Sequence, residues 1–183
     1  MGLDARIRYT KMVIQESFAA LLKERPINRI TVKEICEGAE INRATFYKYY
    51  ADAYDLLDKI EEQVLDSLRD IIEKNSDKGV RSTLTEILCQ MKDNENFYTA
   101  LFSENGDPGF TTKIFQMCYK EQEENLKKYF PDYTKTQRAW LYVYAAQGSS
   151  GILNYWIQDE MTESPEEVVG FLEDILEKLT NGK

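Results

Sequence analysis

The chain has 183 residues, of which 43% are hydrophobic, so it can bury one large core or two small ones. Its formal net charge is −9, it has no histidine, and its three cysteines lack any C-x-x-C spacing. These features exclude a histidine-dependent catalytic site and favour a reducing compartment. No apolar run is long enough to indicate export or a membrane span. We therefore expect a cytoplasmic protein with no catalytic residue, metal site or cofactor.

Charge is distributed unevenly along the chain. Residues 1–51 carry nine basic and six acidic side chains, a net charge of +3, which leaves 14 basic and 26 acidic side chains, a net charge of −12, for the remainder. A basic head can bind a polyanion while the acidic body is repelled, which favours a single docking orientation. The asymmetry predicts a nucleic-acid-binding segment at the N-terminal end.

Helical periodicity recurs throughout the chain and strand-like alternation is nearly absent, so we predict an all-α fold of about nine helices. The first helix spans about residues 4–23, and Pro26 ends the region that follows it. One face of this helix is apolar and consists of Ile7, Ile14, Phe18, Leu21 and Leu22. This face is expected to support the short helices that come next.

Residues 31–50 predict two short helices joined by a tight turn. Thr31 and Glu34 have the spacing of a capping box, and Asn42 can cap the second helix. The first helix has an inward stripe of Val32, Ile35, Cys36 and Ala39, and the second places Phe46 and Tyr50 on one side. This pattern is typical of a DNA-reading helix-turn-helix. The alternative is an ordinary helical hairpin whose basic face is merely solvated.

The exposed residues of the second helix have side chains that suit DNA. Arg43 can donate two parallel hydrogen bonds to a guanine edge, and Ala44 is small enough to approach a thymine methyl group. Hydroxyl groups and a charge on the same helix can position it on phosphate oxygens. The full set of predicted DNA-binding residues is Thr31, Lys33, Asn42, Arg43, Ala44, Thr45, Tyr47, Lys48 and Tyr49.

An ordered set of side chains carries a resemblance to a known family. It comprises the long leading helix, the Thr31 start, the run Arg43, Thr45, Phe46, Tyr47, Tyr49, Tyr50 and the segment Tyr54-Asp55-Leu56-Leu57. Over about residues 5–60 the chain resembles the TetR family of transcriptional regulators. The resemblance implies a three-helix DNA-binding domain at 1–51 and a helical ligand-binding and dimerisation domain at 52–183. It further implies a homodimer on a palindromic operator in double-stranded DNA, more often a repressor than an activator, released by a small-molecule effector.

Two positions depart from the family pattern. The family usually has glycine at the position of Glu40, where a left-handed backbone costs other residues about 1 kcal/mol. It often has lysine at the position of Ala53, from which a cation can touch a phosphate, and we expect the loss of that lysine to weaken DNA affinity. Both departures also favour an alternative function: a regulator-derived adaptor or coactivator that acts mainly through a protein partner and binds DNA weakly.

The remaining helices are delimited by caps and breaks. Asp52 can cap a long fourth helix that reaches about Lys74, and two shorter helices are predicted at 81–93 and 95–103. A longer helix follows the loop at 105–109 and ends at about Phe130. Thr134 and Gln137 start a helix over about 135–158, and Ser164 caps the last one.

The two C-terminal helices contain the predicted partner surface. Small side chains at 145–151 include two glycines that cost roughly 1 kcal/mol each in a helix, which close packing against another helix can offset. The predicted dimer interface consists of Gly148, Gly151, Ile152, Tyr155, Trp156, Phe171, Leu172 and Ile175. The alternative is that the small residues pack inside the subunit.

Aromatic and sulfur-containing side chains are frequent in the body, where they can line an apolar pocket. The predicted ligand-pocket residues are Phe97, Phe102, Phe115, Cys118, Tyr119, Trp140 and Tyr144. An ordinary core uses the same residue types, so this alternative stays open.

Overall fold

The computed structural model of the chain describes residues 3–107 and 109–181, apart from the side chains of residues 3, 115, 119–125, 176 and 179–181. Within this part the protein consists of nine α-helices and one 3-10 turn, without β-strands, so the predicted all-α fold is confirmed. The helices are α1 (Leu3–Glu24), α2 (Val32–Gly38), α3 (Arg43–Phe46), α4 (Ala53–Lys74), α5 (Val80–Asp93), α6 (Glu95–Leu101), α7 (Phe110–Tyr129), α8 (Lys135–Gln158) and α9 (Pro165–Asn181). None of the described helices is both long and apolar enough to cross a membrane.

Side-chain caps mark the starts of α2, α3, α4, α8 and α9, as predicted. Thr31 and Thr134 each form a capping box with the residue three positions later. Ser164 does the same with the glutamate at 167, whose carboxylate accepts the Ser164 N–H at 2.9 Å. Asn42 and Asp52 accept backbone N–H bonds from three residues ahead, at 2.8 and 2.9 Å. Each cap satisfies amide groups that a helix start leaves without an intrahelical partner.

The first three helices form a head around a shared core. The buried side chains of this core are Ile14, Phe18 and Leu22 from α1, Ile35 and Cys36 from α2, and Phe46 from α3. Gly38 allows α1 and α2 to approach closely, because a Cβ atom there would lie 2.3 Å from the Ser17 hydroxyl oxygen. Ser17 uses that hydroxyl to donate to the Ile35 carbonyl at 2.9 Å. The glycine is therefore required by packing rather than by backbone conformation.

The turn between α2 and α3 is left-handed at one residue. Glu40 has a φ angle of 53°, the conformation that the sequence led us to expect at this position. A residue with a Cβ atom adopts this conformation at a cost of about 1 kcal/mol. The head therefore tolerates a small local strain at the turn that orients α3.

The fourth helix runs from the head into the body. Its predicted apolar stripe is buried along its whole length, at Leu57, Ile60, Val64, Leu68 and Ile71. The predicted boundary between residues 51 and 52 falls at the N-cap of this helix. The segment 42–50, which contains α3, is called the reading segment. Because α4 begins directly after it and ends in the body, α4 connects the two parts of the molecule.

The head also contacts the body through α1. Gln15 on α1 donates to Gln63 on α4 at 2.9 Å, and Lys23 donates to Asn96 on α6 at 2.7 Å. Asn105, in the loop after α6, donates to the Lys23 carbonyl at 3.4 Å. These hydrogen bonds tie α1 to helices of the body at two separate places.

Candidate DNA-binding surface

The reading segment has one buried side and one exposed side. Phe46 and Tyr50 are buried, and their ring centroids lie 5.5 Å apart. Tyr47 projects outward, with 56% of its surface exposed. Arg43 and Ala44 are also exposed. The segment therefore presents a charged, aromatic and small-residue surface to solvent, as the sequence indicates.

The α-helical part of this segment is shorter than the prediction, since it ends at Phe46. After Phe46 the chain forms a tightened turn, in which the hydrogen bond spans three residues instead of four: the Tyr49 N–H donates to the Phe46 carbonyl at 2.9 Å. Tyr50 still donates to the same carbonyl with the helical spacing of four, at 3.1 Å. This tightened turn keeps Tyr50 on the buried side together with Phe46.

Two of the predicted DNA-binding residues, Thr31 and Asn42, serve first as structural caps. Thr31 holds the start of α2, and Asn42 accepts hydrogen bonds from both the amide and the hydroxyl of Thr45, at 2.8 and 3.0 Å. Lys33 is exposed on α2 and pairs with Glu37 at 3.6 Å. Arg43, Ala44, Tyr47 and Lys48 are exposed, whereas the other two predicted residues, Thr45 and Tyr49, are half-buried.

Two lysines from other helices flank the reading segment, and the sequence did not reveal either. The Lys11 ammonium on α1 lies 5.8 Å from the Tyr49 ring centroid. The Lys59 ammonium on α4 lies 5.5 Å from the Tyr50 ring centroid. The only sequence signal for Lys59 is its spacing of four from Asp55, which predicts an ion pair but no contact with the reading segment.

The outer face of α8 carries an apolar stripe at helical spacing. Trp140, Tyr144 and Tyr155 are exposed, and no atom of the described part lies within 4 Å of a Cβ built at Gly148 or Gly151. The two glycines therefore do not pack inside the subunit, whereas the small residues at 145, 146, 149 and 150 are half-buried. A shallow groove of about 680 Å³ along this face is lined by Trp140, Val143, Tyr144, Gln147 and Gly148.

The predicted interface residues divide into two groups. Tyr155 and Phe171 are exposed on α8 and α9, and Ile152 and Ile175 are half-buried. Trp156 is only 2% exposed, and its indole N–H donates to the Glu163 carbonyl at 3.1 Å. Leu172 is likewise buried. The prediction that Trp156 and Leu172 lie at the dimer interface is wrong. Both belong to the core of the subunit, so they cannot anchor a partner.

The aromatic residues predicted to line a pocket do not all face the interior. Trp140 and Tyr144 lie on the exposed face of α8, at the groove, so they cannot line an interior pocket in this arrangement. Tyr142, which the sequence did not single out, is half-buried instead, and burial together with the nearby Cys118 thiol raises the pKa of its phenol. Cys118 is also half-buried.

The other predicted pocket residues occupy separate places. Phe97 lines a cleft of about 880 Å³ between α1, α4, α5 and α6. Phe102 is half-buried, with its ring centroid 5.7 Å from that of Phe110. The side chains of Phe115 and Tyr119 lie outside the described residues. The predicted residues are thus not brought together in one described cavity.

Two family models match the chain in the regions just described. The model "Bacterial regulatory proteins, tetR family" matches residues 17–60, which include the helix-turn-helix. The model "Transcriptional regulator C-terminal region", also of TetR type, matches residues 78–178, more than half of the chain. The chain belongs to the TetR family. Members of this family are transcriptional regulators, which are not enzymes.

The chain is also similar in sequence to two curated proteins. The chain is 26% identical over 165 residues to the uncharacterized HTH-type transcriptional regulator YxbF of Bacillus subtilis, a match that covers 85% of this chain and 41% of the relative. It is 29% identical over 134 residues to the HTH-type dhaKLM operon transcriptional activator DhaS of Lactococcus lactis, covering 72% of this chain and 66% of the relative. The matched regions thus span less than two thirds of either relative.

Solved structures show the same fold. The dihydroxyacetone kinase operon activator DhaS superimposes with a TM-score of 0.61 at 23% identity, covering 94% of this chain and 96% of that one. A TetR transcriptional regulator from Streptococcus agalactiae 2603V gives a TM-score of 0.64 at 23% identity, with the same coverage of both chains.

The position at which TetR-family proteins often carry a lysine is part of the core in this chain. Ala53 is buried at the start of α4, whereas its neighbour Tyr54 is exposed.

Proposed function

We propose that the protein is a homodimer that reads a palindromic operator in double-stranded DNA through Arg43, Ala44, Tyr47 and Lys48. The observation that carries this proposal is the exposure of these four side chains on a segment whose other side is fixed in the core by Phe46. A rigid backbone lets a short segment hold donors in a fixed geometry, as sequence reading requires. We expect the protein to act in the cytoplasm.

Within this surface the residues have different tasks. Arg43 has the bidentate donor geometry that recognises guanine, and Ala44 leaves room for a thymine methyl group. Lys48 and the Tyr47 hydroxyl are suited to phosphate oxygens, which fix position but carry no sequence information. The acidic body has a net charge of −12 by the count of residues 52–183 and is repelled by DNA, so the head alone approaches it.

A second copy of the chain is the partner that best fits the α8 face. Exposed aromatic side chains and two glycines lie on one stripe, and the glycines cost about 1 kcal/mol each relative to alanine. Close approach of a helix from outside the subunit offsets that cost. A symmetric dimer then presents two heads, which matches a palindromic site.

Substitutions at Arg43 and Lys48 test the assignment of the reading surface. Arg43→Ala should cost about 2 kcal/mol, or roughly thirtyfold in affinity, on the preferred duplex and relax the choice of base. Lys48→Ala should weaken binding to all duplexes and lower the salt slope by about one. Fluorescence anisotropy at several salt concentrations measures both effects. Unchanged affinity of Arg43→Ala for the preferred duplex would contradict the assignment.

Repression is the sign of regulation that we propose. A dimer that covers a promoter blocks transcription by occupancy alone, whereas activation needs an additional contact with the transcription machinery. The relative DhaS is named as an activator, so the sign needs its own test. A reporter under the promoter that contains the selected operator should be less active with the protein than without it. Higher reporter activity with the protein would indicate activation instead of repression.

Release by a small molecule is the remaining part of the proposal. An effector that binds the conformation unable to bind DNA lowers operator occupancy by its difference in affinity for the two states. Of the predicted pocket residues, Phe102 and Cys118 are half-buried at separate places and stay candidates for a site inside the body, whereas Trp140 and Tyr144 are exposed. Phe102→Ala should change the fluorescence of bound anilinonaphthalene sulfonate, a probe of apolar cavities, while Trp140→Ala should change dimerisation.

A further inference from the structure

The chain that leaves the reading segment is held by two side chains of α4. The Lys59 ammonium donates to the Tyr49 carbonyl at 2.9 Å, and the Asp55 carboxylate accepts the Ala51 N–H at 2.8 Å. Carbonyl groups at the end of a helical segment lack an intrahelical donor, so an external ammonium is a strong partner. Both polar groups of this exit segment are thus satisfied by residues one turn apart on α4.

The two α4 side chains also bind each other. Lys59 donates to Asp55 at 2.8 Å, and both contacts of Asp55 use the same oxygen atom. The hydrogen bonds from Lys59 and from the Ala51 amide lower the pKa of the Asp55 carboxyl group. At neutral pH the Asp55 carboxyl group is therefore ionised.

An aromatic contact closes the arrangement. The Lys59 ammonium lies 5.5 Å from the ring centroid of Tyr50, which is buried against Phe46. A cation at this distance from an aromatic ring is attracted by the negative face of the ring. Lys59 thus contacts a carbonyl, a carboxylate and a ring in the same short stretch, which restricts how α3 can turn relative to α4.

We propose that Lys59 is a positioning residue for DNA reading, which together with Asp55 locks the exit of α3 onto α4. The inference rests on the proposed reading of DNA by α3. The lock fixes the angle at which Arg43 and Tyr47 meet the duplex, and it makes any displacement of α4 a displacement of the reading segment. Because two of its three donors are already engaged, by the Tyr49 carbonyl and the Asp55 carboxylate, Lys59 acts through the segment after α3 and not as a phosphate ligand.

Lys59→Met tests this role, because it keeps an unbranched apolar stem and removes the ammonium. It should weaken binding to the selected operator about tenfold and leave both the affinity for a scrambled duplex and the salt slope unchanged. The matched control is Lys78→Met, which removes the same charge from an exposed lysine in the loop before α5. Lys59→Arg, which retains a donor, should recover most of the operator affinity.

A double-mutant cycle with Asp55→Asn gives an independent criterion. If the two residues form one lock, the double variant should lose about as much operator affinity as either single variant. Additive losses, equal losses on both duplexes, or a salt slope smaller by about 0.9 would each overturn the proposal. The last result would make Lys59 a direct phosphate ligand.

Amide hydrogen exchange in the DNA-free protein separates this inference from the proposed function. The Ala51 amide should exchange about tenfold faster in Lys59→Met and in Asp55→Asn than in the wild type and in Lys78→Met. Equal protection in all four proteins would overturn the lock whether or not the protein selects an operator. Faster exchange combined with no selected operator would support the lock and reject the DNA-reading function.

Discussion

Replacing Lys113 with methionine perturbs a charged contact that holds α4 against α7. Glu61 on α4 is 2% exposed, and its Oε2 atom accepts a hydrogen bond from Lys113 at 2.7 Å. The other carboxylate oxygen is buried without a hydrogen-bond partner in the described part of the chain. Lys113 also pairs with Asp107 at 3.1 Å. The substitution therefore leaves Glu61 as a buried carboxylate with no cation beside it.

The expected cost follows from the exposure of the two partners. A hydrogen bond to a charged group contributes about 1.5–3 kcal/mol, and leaving a charge buried and unpaired raises the penalty. The Lys113 side chain is 48% exposed, so water screens part of the interaction. We expect Lys113→Met to lower the free energy of unfolding by about 2 kcal/mol at neutral pH.

This cost should depend on pH. Burial raises the pKa of Glu61, whereas the Lys113 hydrogen bond and charge lower it and so oppose the effect of burial. A raised pKa in the folded state means that the stabilisation from protonated Glu61 is fully present below its unfolded-state pKa. That stabilisation is lost as the pH rises through the folded-state pKa. Without Lys113 the folded-state pKa of Glu61 is higher still, so stability falls over a wider pH range. Relative to the wild type, the variant should therefore be destabilised more at pH 8 than at pH 5.

Urea unfolding followed by circular dichroism, at fixed protein concentration, measures both effects. The double variant Glu61→Gln/Lys113→Met should recover much of the loss at pH 8, because no charge is then buried. Lys178→Met, which breaks the exposed pair with Asp174, is the control and should change little. Equal losses at both pH values, or no recovery in the double variant, would show that Lys113 does not stabilise the protein by compensating the buried charge of Glu61.

Three further substitutions test packing, backbone strain and assembly. Glu40→Gly should stabilise the head by about 0.5–1 kcal/mol in urea unfolding, because it relieves the left-handed strain at φ 53°, whereas Glu40→Gln should not. Gly38→Ala should cost about 1–2 kcal/mol in the same assay, since its Cβ would meet the Ser17 hydroxyl; an unchanged stability would show that this hydroxyl moves freely. Tyr155→Arg should produce monomers in sedimentation velocity experiments, while Tyr129→Arg, at another exposed aromatic residue, should remain dimeric.

Much of the secondary structure could be predicted because its signals are local. The caps at Thr31, Asn42 and Asp52 are confirmed, and so is the apolar stripe of α4, which recurs every three or four residues. The inward position of Phe46 and Tyr50 followed from their spacing of four. These features depend on neighbours in the chain, so the sequence contains the information.

The two faces of α8 could not be told apart in this way. Apolar residues lie all around this helix, because one side packs inside the subunit and the other is an apolar face left exposed. Trp140 and Trp156 therefore look alike in sequence, although the first is exposed and the second is buried. The contacts of Lys59 with Tyr49 and of Glu61 with Lys113 join residues that do not share a helix. No pattern within one helix predicts them.

Selection of bound duplexes from a random DNA pool, with purified wild-type protein at near-physiological salt, tests whether this chain reads DNA sequence. We expect enrichment of a palindrome whose half-sites bind the Arg43→Ala variant poorly. Failure of a folded dimer to enrich any sequence, with only weak and strongly salt-dependent binding, would contradict this expectation. That result would favour the adaptor function, in which a protein partner rather than DNA is the principal target.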